Sequence, residues 1–179
     1  MWPGIDLDSS NSDPGNESAL QGIALRRCTP EDLPFLETLY ASTREAELAR
    51  TGWPEARCRQ FVEQQFALQH SYYQTHFAEA QFLLLHRNGQ AIGRLYWWEG
   101  AHRAVLVDVI LLPQERGRGV GSALLRLLVG RAESRGLDIE LHVETNNPAL
   151  RLYRRFGFET LGDNGIHAKL RRCCPQATC

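Results

Sequence analysis

Residues 116–122 read Arg-Gly-Arg-Gly-Val-Gly-Ser, with three alternate glycines and two arginines between an apolar run and an apolar-periodic segment. Such a junction suits an anion. The first turn of a helix leaves backbone N–H groups without carbonyl partners and carries a partial positive charge. Glycines let a phosphate come close to that backbone. Here Gly117, Arg118, Gly119, Val120, Gly121 and Ser122 would present the N–H groups, with Arg116 and Arg118 adding charge-assisted bonds. The segment reads as a pyrophosphate cradle. It is neither of two common phosphate loops. A Walker loop needs Gly-Lys-Ser/Thr, which is absent. A dinucleotide fingerprint needs Gly or Ala as its sixth residue, but the two available registers give Ser122 and Leu124. The pattern that remains is Arg116-x-x-Gly119-x-Gly121.

Other residues could move protons. Asp108 is a lone carboxylate in the apolar run VLVDVILL. A buried unpaired charge is costly, so Asp108 either meets a substrate or pairs with an arginine such as Arg94 or Arg103. His142 lies on the polar side of IELHVE, and its ordinary pKa of about 6.5 suits a general base. Glu144 shares that side. Trp53, Tyr72 and Tyr73 could wall a pocket, Glu45 or Glu47 could attract a cationic acceptor, and Arg44 and Glu45 could form a polar rim.

These residues need elements to hold them. GIALRR reads as a first strand. Thr29 can cap a helix, with Pro30 at its first position and Asp32 near the capping-box position. That helix is expected to end near Ala41, with a second stretch from Thr43. Pro54 opens a longer helix to about Phe77, whose stripe includes Phe61, Val62, Phe66 and Tyr73. Gln81–His86 and Ala91–Trp98 read as strands joined by an Asn88-Gly89 hairpin turn. His102–Leu112 is a third long strand. Strict alternation would put Val105, Val107, Val109 and Leu111 on one face, and Leu106, Asp108, Ile110 and Leu112 on the other. A helix follows from Gly119 to about Arg135 and Gly136 stops it. Then come a strand at Asp138–Glu144, a short helix at Pro148–Phe156 and a hairpin of Phe158–Leu161 with Ile166–Leu170.

The stretch LLPQERGRGVGSALL followed by NNPALRLYRRFGF resembles the GNAT N-acetyltransferase superfamily. The second segment carries Asn146, Ala149, Tyr153, Gly157 and Phe158 at that family's spacing. The specific likeness spans about residues 90–160. It implies an α/β fold with a mixed, mostly antiparallel central sheet of about seven strands, helices on both faces, and a splay at strands 4 and 5. It implies acetyl-CoA as cosubstrate, and no metal. By resemblance, backbone of Val109, Ile110 and Leu111 would pair with pantetheine and polarise the thioester carbonyl. Gly117 to Ser122, with Arg116, would hold the pyrophosphate, and Asn146 would steady the pantetheine arm. Tyr153 would be the general acid that protonates the leaving thiolate. Asp108 and His142 would serve the acceptor, as base or as ammonium partner. The implied reaction is acetyl transfer to a primary amine by direct attack. The acceptor stays open among small amines, amino acids, antibiotics and protein N-termini. A non-catalytic acyl-CoA-binding module, acting as sensor or interaction partner, is the alternative. The resemblance alone suggests a homodimer.

Composition narrows the partners. A chain of 179 residues suits one domain. Its formal net charge is −1, without the positive excess of a nucleic-acid binder. No apolar run approaches the ~18 residues of a membrane span. The first residues lack the basic start and apolar core of a signal peptide, so a cytoplasmic location is expected. Their composition reads as a disordered leader over 1–20, before a domain over 21–172 and a cysteine-rich tail over 173–179. The cysteines show no framework spacing and are expected as reduced thiols. CCPQATC lacks the spacing of a metal site.

Overall fold

The computed structural model describes residues 19–175. Residues 1–18 of the expected leader and Cys179 lie outside the described residues. Leu20 is buried in the main core, and Cys174 is buried with its N–H on Asp138 Oδ1 at 2.8 Å. The first strand, β1, spans Ile23–Arg27. A tight turn at Pro30–Asp32 follows. There Asp32 accepts the Thr29 N–H at 2.8 Å and two bonds from Arg26 at 2.7 and 2.6 Å. This satisfies a donor that the helix start leaves unpaired.

The next helix, α1, runs unbroken over Leu33–Leu48, so the break expected after Ala41 is corrected. The reason is local. Ser42 and Thr43 bond back to the Leu39 and Tyr40 carbonyls, both at 2.7 Å, which lets small hydroxyl residues stay helical. Helix α2 spans Glu55–His76. Strands β2 (Gln81–Arg87) and β3 (Gln90–Glu99) meet at Asn88 and Gly89, whose φ values of 52° and 80° match a primed hairpin turn. Strand β4 covers Arg103–Leu111, helix α3 Val120–Ser134 and strand β5 Asp138–Glu144. Helix α4 is Leu150–Arg155, and strands β6 (Glu159–Asp163) and β7 (His167–Arg172) close the chain's described part.

The seven strands form one sheet in the order β1-β2-β3-β4-β5-β7-β6. Every pair is antiparallel except β4 with β5, which α3 connects. This matches the mixed sheet expected from the sequence. One face packs on α3 and α4 through Leu95, Trp97, Leu106, Leu124, Leu128 and Leu141, all buried. The other face carries α1 and α2, packed through Leu36, Tyr40, Val62, Phe66 and Leu84.

The expected alternation along β4 fails at one residue. Tyr96 pairs with Asp108, but Trp97 pairs with Leu106, so Val107 is an extra residue on β4. The bulge exchanges faces. Leu106, Val109 and Leu111 therefore all face the α3 core, although strict alternation put Leu106 opposite the other two.

Candidate active site

The bulge sits where the sheet opens. Strands β4 and β5 pair from Arg103 with Asp138 to Leu106 with Leu141, and no further. Beyond that fork β4 continues against β3, with Val109 on Leu95, Ile110 on Arg94 and Leu111 on Gly93. A Cβ at Gly93 would collide with the Ile110 carbonyl, so glycine lets β3 follow β4 past the fork. Beyond the fork β5 pairs with β7, as Val143 with Ala168 and Glu144 with His167. Each strand thus keeps its outer partner and turns its inner edge to a gap. Val107 to Leu111 are only half-buried despite four apolar side chains. The splay expected at strands 4 and 5 is present, and its β4 edge carries Val109, Ile110 and Leu111.

The glycine loop lies at the end of β4. Arg116 N–H donates to the Pro113 carbonyl at 3.2 Å, and Ala123 N–H donates to the Gly119 carbonyl at 2.9 Å. Among the described residues, no carbonyl accepts the N–H groups between them, from Gly117 to Ser122. Gly117 and Gly119 adopt φ of 73° and 83°, which favours glycine. An added Cβ at Gly117 meets open space, and at Gly121 its nearest neighbour is Leu152 Cδ2 at 3.7 Å. At Gly119 an added Cβ would meet Ala19 Cβ at 3.4 Å. Among the described residues the loop is thus a nest of free donors at a helix start, and an anionic phosphate fits it. The Arg118 side chain is exposed and 3.7 Å from Glu115. Arg116 points elsewhere. Its Nε donates to the Leu111 carbonyl at 2.9 Å and its Nη2 to Ser42 Oγ at 3.2 Å. Its side chain joins the loop to α1 and to β4.

Tyr153 reaches the fork from the α3 face. It is buried against Phe158, ring centroids 5.7 Å apart. Burial pushes its phenol pKa up, and the negative charge of Asp108 adds to that. The phenol is thus a proton donor at neutral pH. Asn146 lies exposed in the link after β5. Its neighbour Asn147 accepts the Ala149 N–H at 2.8 Å and so shapes the entry to α4.

Asp108 belongs to the opposite face. Of the two arginines weighed for it, Arg94 is the partner, with Nε on Asp108 Oδ2 at 2.7 Å. Arg103 instead pairs with Glu140 at 3.2 Å. His142 is exposed on β5 beside Lys169 of β7. Partial burial and then the Lys169 charge lower its pKa, while Glu140 opposes them. Its ring is neutral at pH 7. Glu144 meets Arg44 of α1 at 3.0 Å, a contact that no periodicity announced. The aromatic residues divide. Tyr73 packs on Tyr96 at 6.0 Å, near Arg94 and Asp108. Trp53 packs on Phe61 at 5.7 Å and under Arg57 at 4.1 Å, and Tyr72 is exposed and stacked on His76 at 4.1 Å. The Tyr72 ring also meets the Tyr73 ring edge-on, centroids 6.0 Å apart. Gln69 and Ser42, absent from the sequence reading, are the further side chains that hold Arg94 and Arg116.

Among the described residues, no group of three His, Cys, Asp or Glu side chains could hold a metal ion. No helix of the described residues is long and apolar enough to cross a membrane.

Known proteins share this fold. A Bacillus subtilis (strain 168) protein assigned as a ribosomal protein bS18-alanine N-acetyltransferase is 29% identical over 99 residues. That match covers 50% of this chain and 65% of the relative, just under two thirds of its length. The crystal structure of PaiA N-acetyltransferase from Thermoplasma acidophilum, in complex with coenzyme A, aligns with a TM-score of 0.64 and 18% identity. It covers 84% of this chain and 98% of its own. The ribosomal-protein-S18-alanine N-acetyltransferase of Escherichia coli aligns at a TM-score of 0.57 and 19% identity, over 87% of this chain and 96% of its own. At such identities the likeness is one of fold. The sequence profile described as the acetyltransferase (GNAT) family matches residues 41–158, the span that holds the fork, the glycine loop and Tyr153. With that match over more than half its length, the chain belongs to the acetyltransferase (GNAT) family.

Proposed function

We propose that this protein is an N-acetyltransferase that moves an acetyl group from acetyl-CoA to a primary amine by direct attack. One observation carries the reading: the unbroken run of N–H groups from Gly117 to Ser122 that no carbonyl of the described residues accepts, set at the end of a strand that has lost its inner partner. Those groups would hold the pyrophosphate, with Arg118 beside them and Arg116 contributing through the backbone it braces. The open edge at Val109, Ile110 and Leu111 would take the pantetheine arm as an added strand, and Asn146 would steady it. Acetyl-CoA supplies an acetyl group already activated as a thioester. Tyr153 keeps its proton at neutral pH and would release it to the departing sulfur. Asp108, on the other face of the fork, would receive the amine. His142, neutral at pH 7, would take the amine's proton through water. The names of the relatives support a protein N-terminus, alanine above all, as the first acceptor to try.

Calorimetric titration with acetyl-CoA tests the first half. Gly121→Asp is the control. Its φ is not in the left-handed region and an added Cβ has ordinary room, so the change chiefly puts negative charge among the donors. Binding by the wild type that this variant loses supports the reading. A folded wild type that binds no acetyl-CoA overturns it. A peptide beginning with alanine then tests the acceptor by CoA release. Faster release with a lysine-side-chain peptide or a small diamine would move the acceptor to that class.

A further inference from the structure

Arg94 is a buried cation on the floor of the acceptor side. Its side chain is 1% exposed, and it comes from the middle of β3. Burying a guanidinium is costly, and an apolar side chain of similar size often serves stability as well or better. Packing alone therefore gives no reason for it. Its contacts do. Nε donates to Asp108 Oδ2 at 2.7 Å, and Nη2 meets that same oxygen. Nη2 also donates to Gln69 Oε1 on α2 at 2.6 Å. The Tyr96 ring lies against the guanidinium, 5.0 Å from its carbon. The arginine is thus fixed from two elements, and it in turn fixes the carboxylate.

The carboxylate is held by one oxygen only. Both nitrogens of Arg94 act on Oδ2. No hydrogen bond among the described residues uses Oδ1, and Oδ1 is not among the buried atoms left without a partner. Asp108 keeps 16% of its side chain exposed. It follows the Val107 bulge and stands just past the last β4–β5 pair. Oδ1 is therefore the carboxylate oxygen left for a further partner, on a residue at the mouth of the gap.

We infer that Arg94 is a positioning residue for acetyl transfer: it clamps Asp108 by Oδ2 so that Oδ1 is presented to the acceptor amine. The inference rests on the proposed role of Asp108. The guanidinium stays protonated at any working pH, so it remains a charged hydrogen-bond donor to Asp108 Oδ2. A carboxylate fixed in this way orients the amine's N–H groups and hence its lone pair. Misplacing a reacting group by about 1 Å can cost on the order of 100-fold in rate. Lysine would not replace arginine here. Its single ammonium cannot bridge Asp108 and Gln69 with the same planar fork.

Kinetics with acetyl-CoA and the alanine-starting peptide test this, with Arg94→Met, Arg94→Lys, Gln69→Leu and Asp108→Asn in the full chain. The charged and titratable groups that face Asp108 are Arg94 and Tyr96 on β3, Tyr73 on α2 and Tyr153 on α4. Arg94→Met should lower kcat/KM for the peptide on the order of 100-fold and leave the acetyl-CoA Kd within about twofold. Arg94→Lys should recover little of the rate. Gln69→Leu should also lose peptide rate and leave the acetyl-CoA Kd in place. A merely structural arginine would affect both substrates alike, and that result overturns the inference. So does a folded Arg94→Lys enzyme with wild-type peptide kinetics, which decides the matter if Arg94→Met does not fold. Asp108→Asn with undiminished activity would instead remove the role of Asp108 on which the inference rests.

Discussion

The Arg44 guanidinium of α1 lies 3.0 Å from the Glu144 carboxylate at the end of β5. Two residues earlier on α1, Ser42 accepts a bond from Arg116 at the end of the glycine loop's approach, at 3.2 Å. One short piece of helix is therefore tied to both sides of the gap. Arg44 also pairs with Glu47 at 3.4 Å, so the ensemble has more acid than base. Arg44→Ala should change stability by no more than about 1 kcal/mol, because the pair is partly exposed. It should lower KM for a cationic peptide acceptor at low salt, since Glu47 and Glu144 lose their counter-charge. The effect should fade by physiological salt, where the screening length is about 8 Å. Acetyl-CoA affinity should not move. Steady-state kinetics at two salt concentrations check this.

Tyr153→Phe separates chemistry from packing. The ring stays against Phe158. Loss of a general acid typically costs about 10²–10⁴-fold in turnover. The acetyl-CoA Kd and the urea midpoint should stay near the wild-type values. Because the phenol pKa is pushed up, its deprotonation should cause no loss of activity across the neutral and mildly alkaline range.

Acid should unfold the protein through its buried carboxylates. Burial opposes charge on Glu99, but Arg131 and the Trp97 indole N–H, at 2.7 Å, hold its carboxyl below the ordinary range. The Arg26 bonds do the same for Asp32. Folded values below unfolded ones give stability that is present above the unfolded carboxylate pKa and lost as pH falls through the folded one. The urea midpoint should thus begin to fall near pH 4–5, around the ordinary carboxylate values of about 3.9 and 4.3, and keep falling below them. Glu99→Gln should flatten that fall. At neutral pH, Arg131→Ala should cost about 3 kcal/mol by leaving a buried charge short of its main partner.

Burial pushes the Cys28 thiol up to about 11. At pH 8 about one molecule in a thousand would then carry the reactive thiolate there. Cys173 is exposed. Maleimide labelling followed by peptide mapping should modify Cys173 well before Cys28.

Much of this molecule was legible along the chain. Asn88-Gly89 announced its hairpin, since few residue pairs tolerate two successive positive φ values. The three alternate glycines after an apolar strand announced an anion nest, because the donors are backbone groups whose direction follows from the helix start itself. Asn146, Ala149, Tyr153, Gly157 and Phe158 carried the family resemblance that implied a second half of the candidate site. All of these are local relationships, set within a few residues of each other.

What the fold alone decided is which side chains meet. A single extra residue at Val107 exchanges the faces of β4, and no local pattern reveals it, because apolar residues stand on both sides of the alternation along this run. From the sequence, Asp108 had two candidate arginines; cross-strand register gives it Arg94 and leaves Arg103 to Glu140. Arg116 read as a phosphate ligand by position, yet its side chain is drawn to Ser42 and Leu111. The helix expected to end near Ala41 runs on as α1, which absorbs Ser42 and Thr43 by bonding their hydroxyls to its own carbonyls. Sequence periodicity tells a residue which face it takes while the register holds. Long flexible side chains choose partners by distance across elements, and those distances exist only once the sheet has closed and split at its fork.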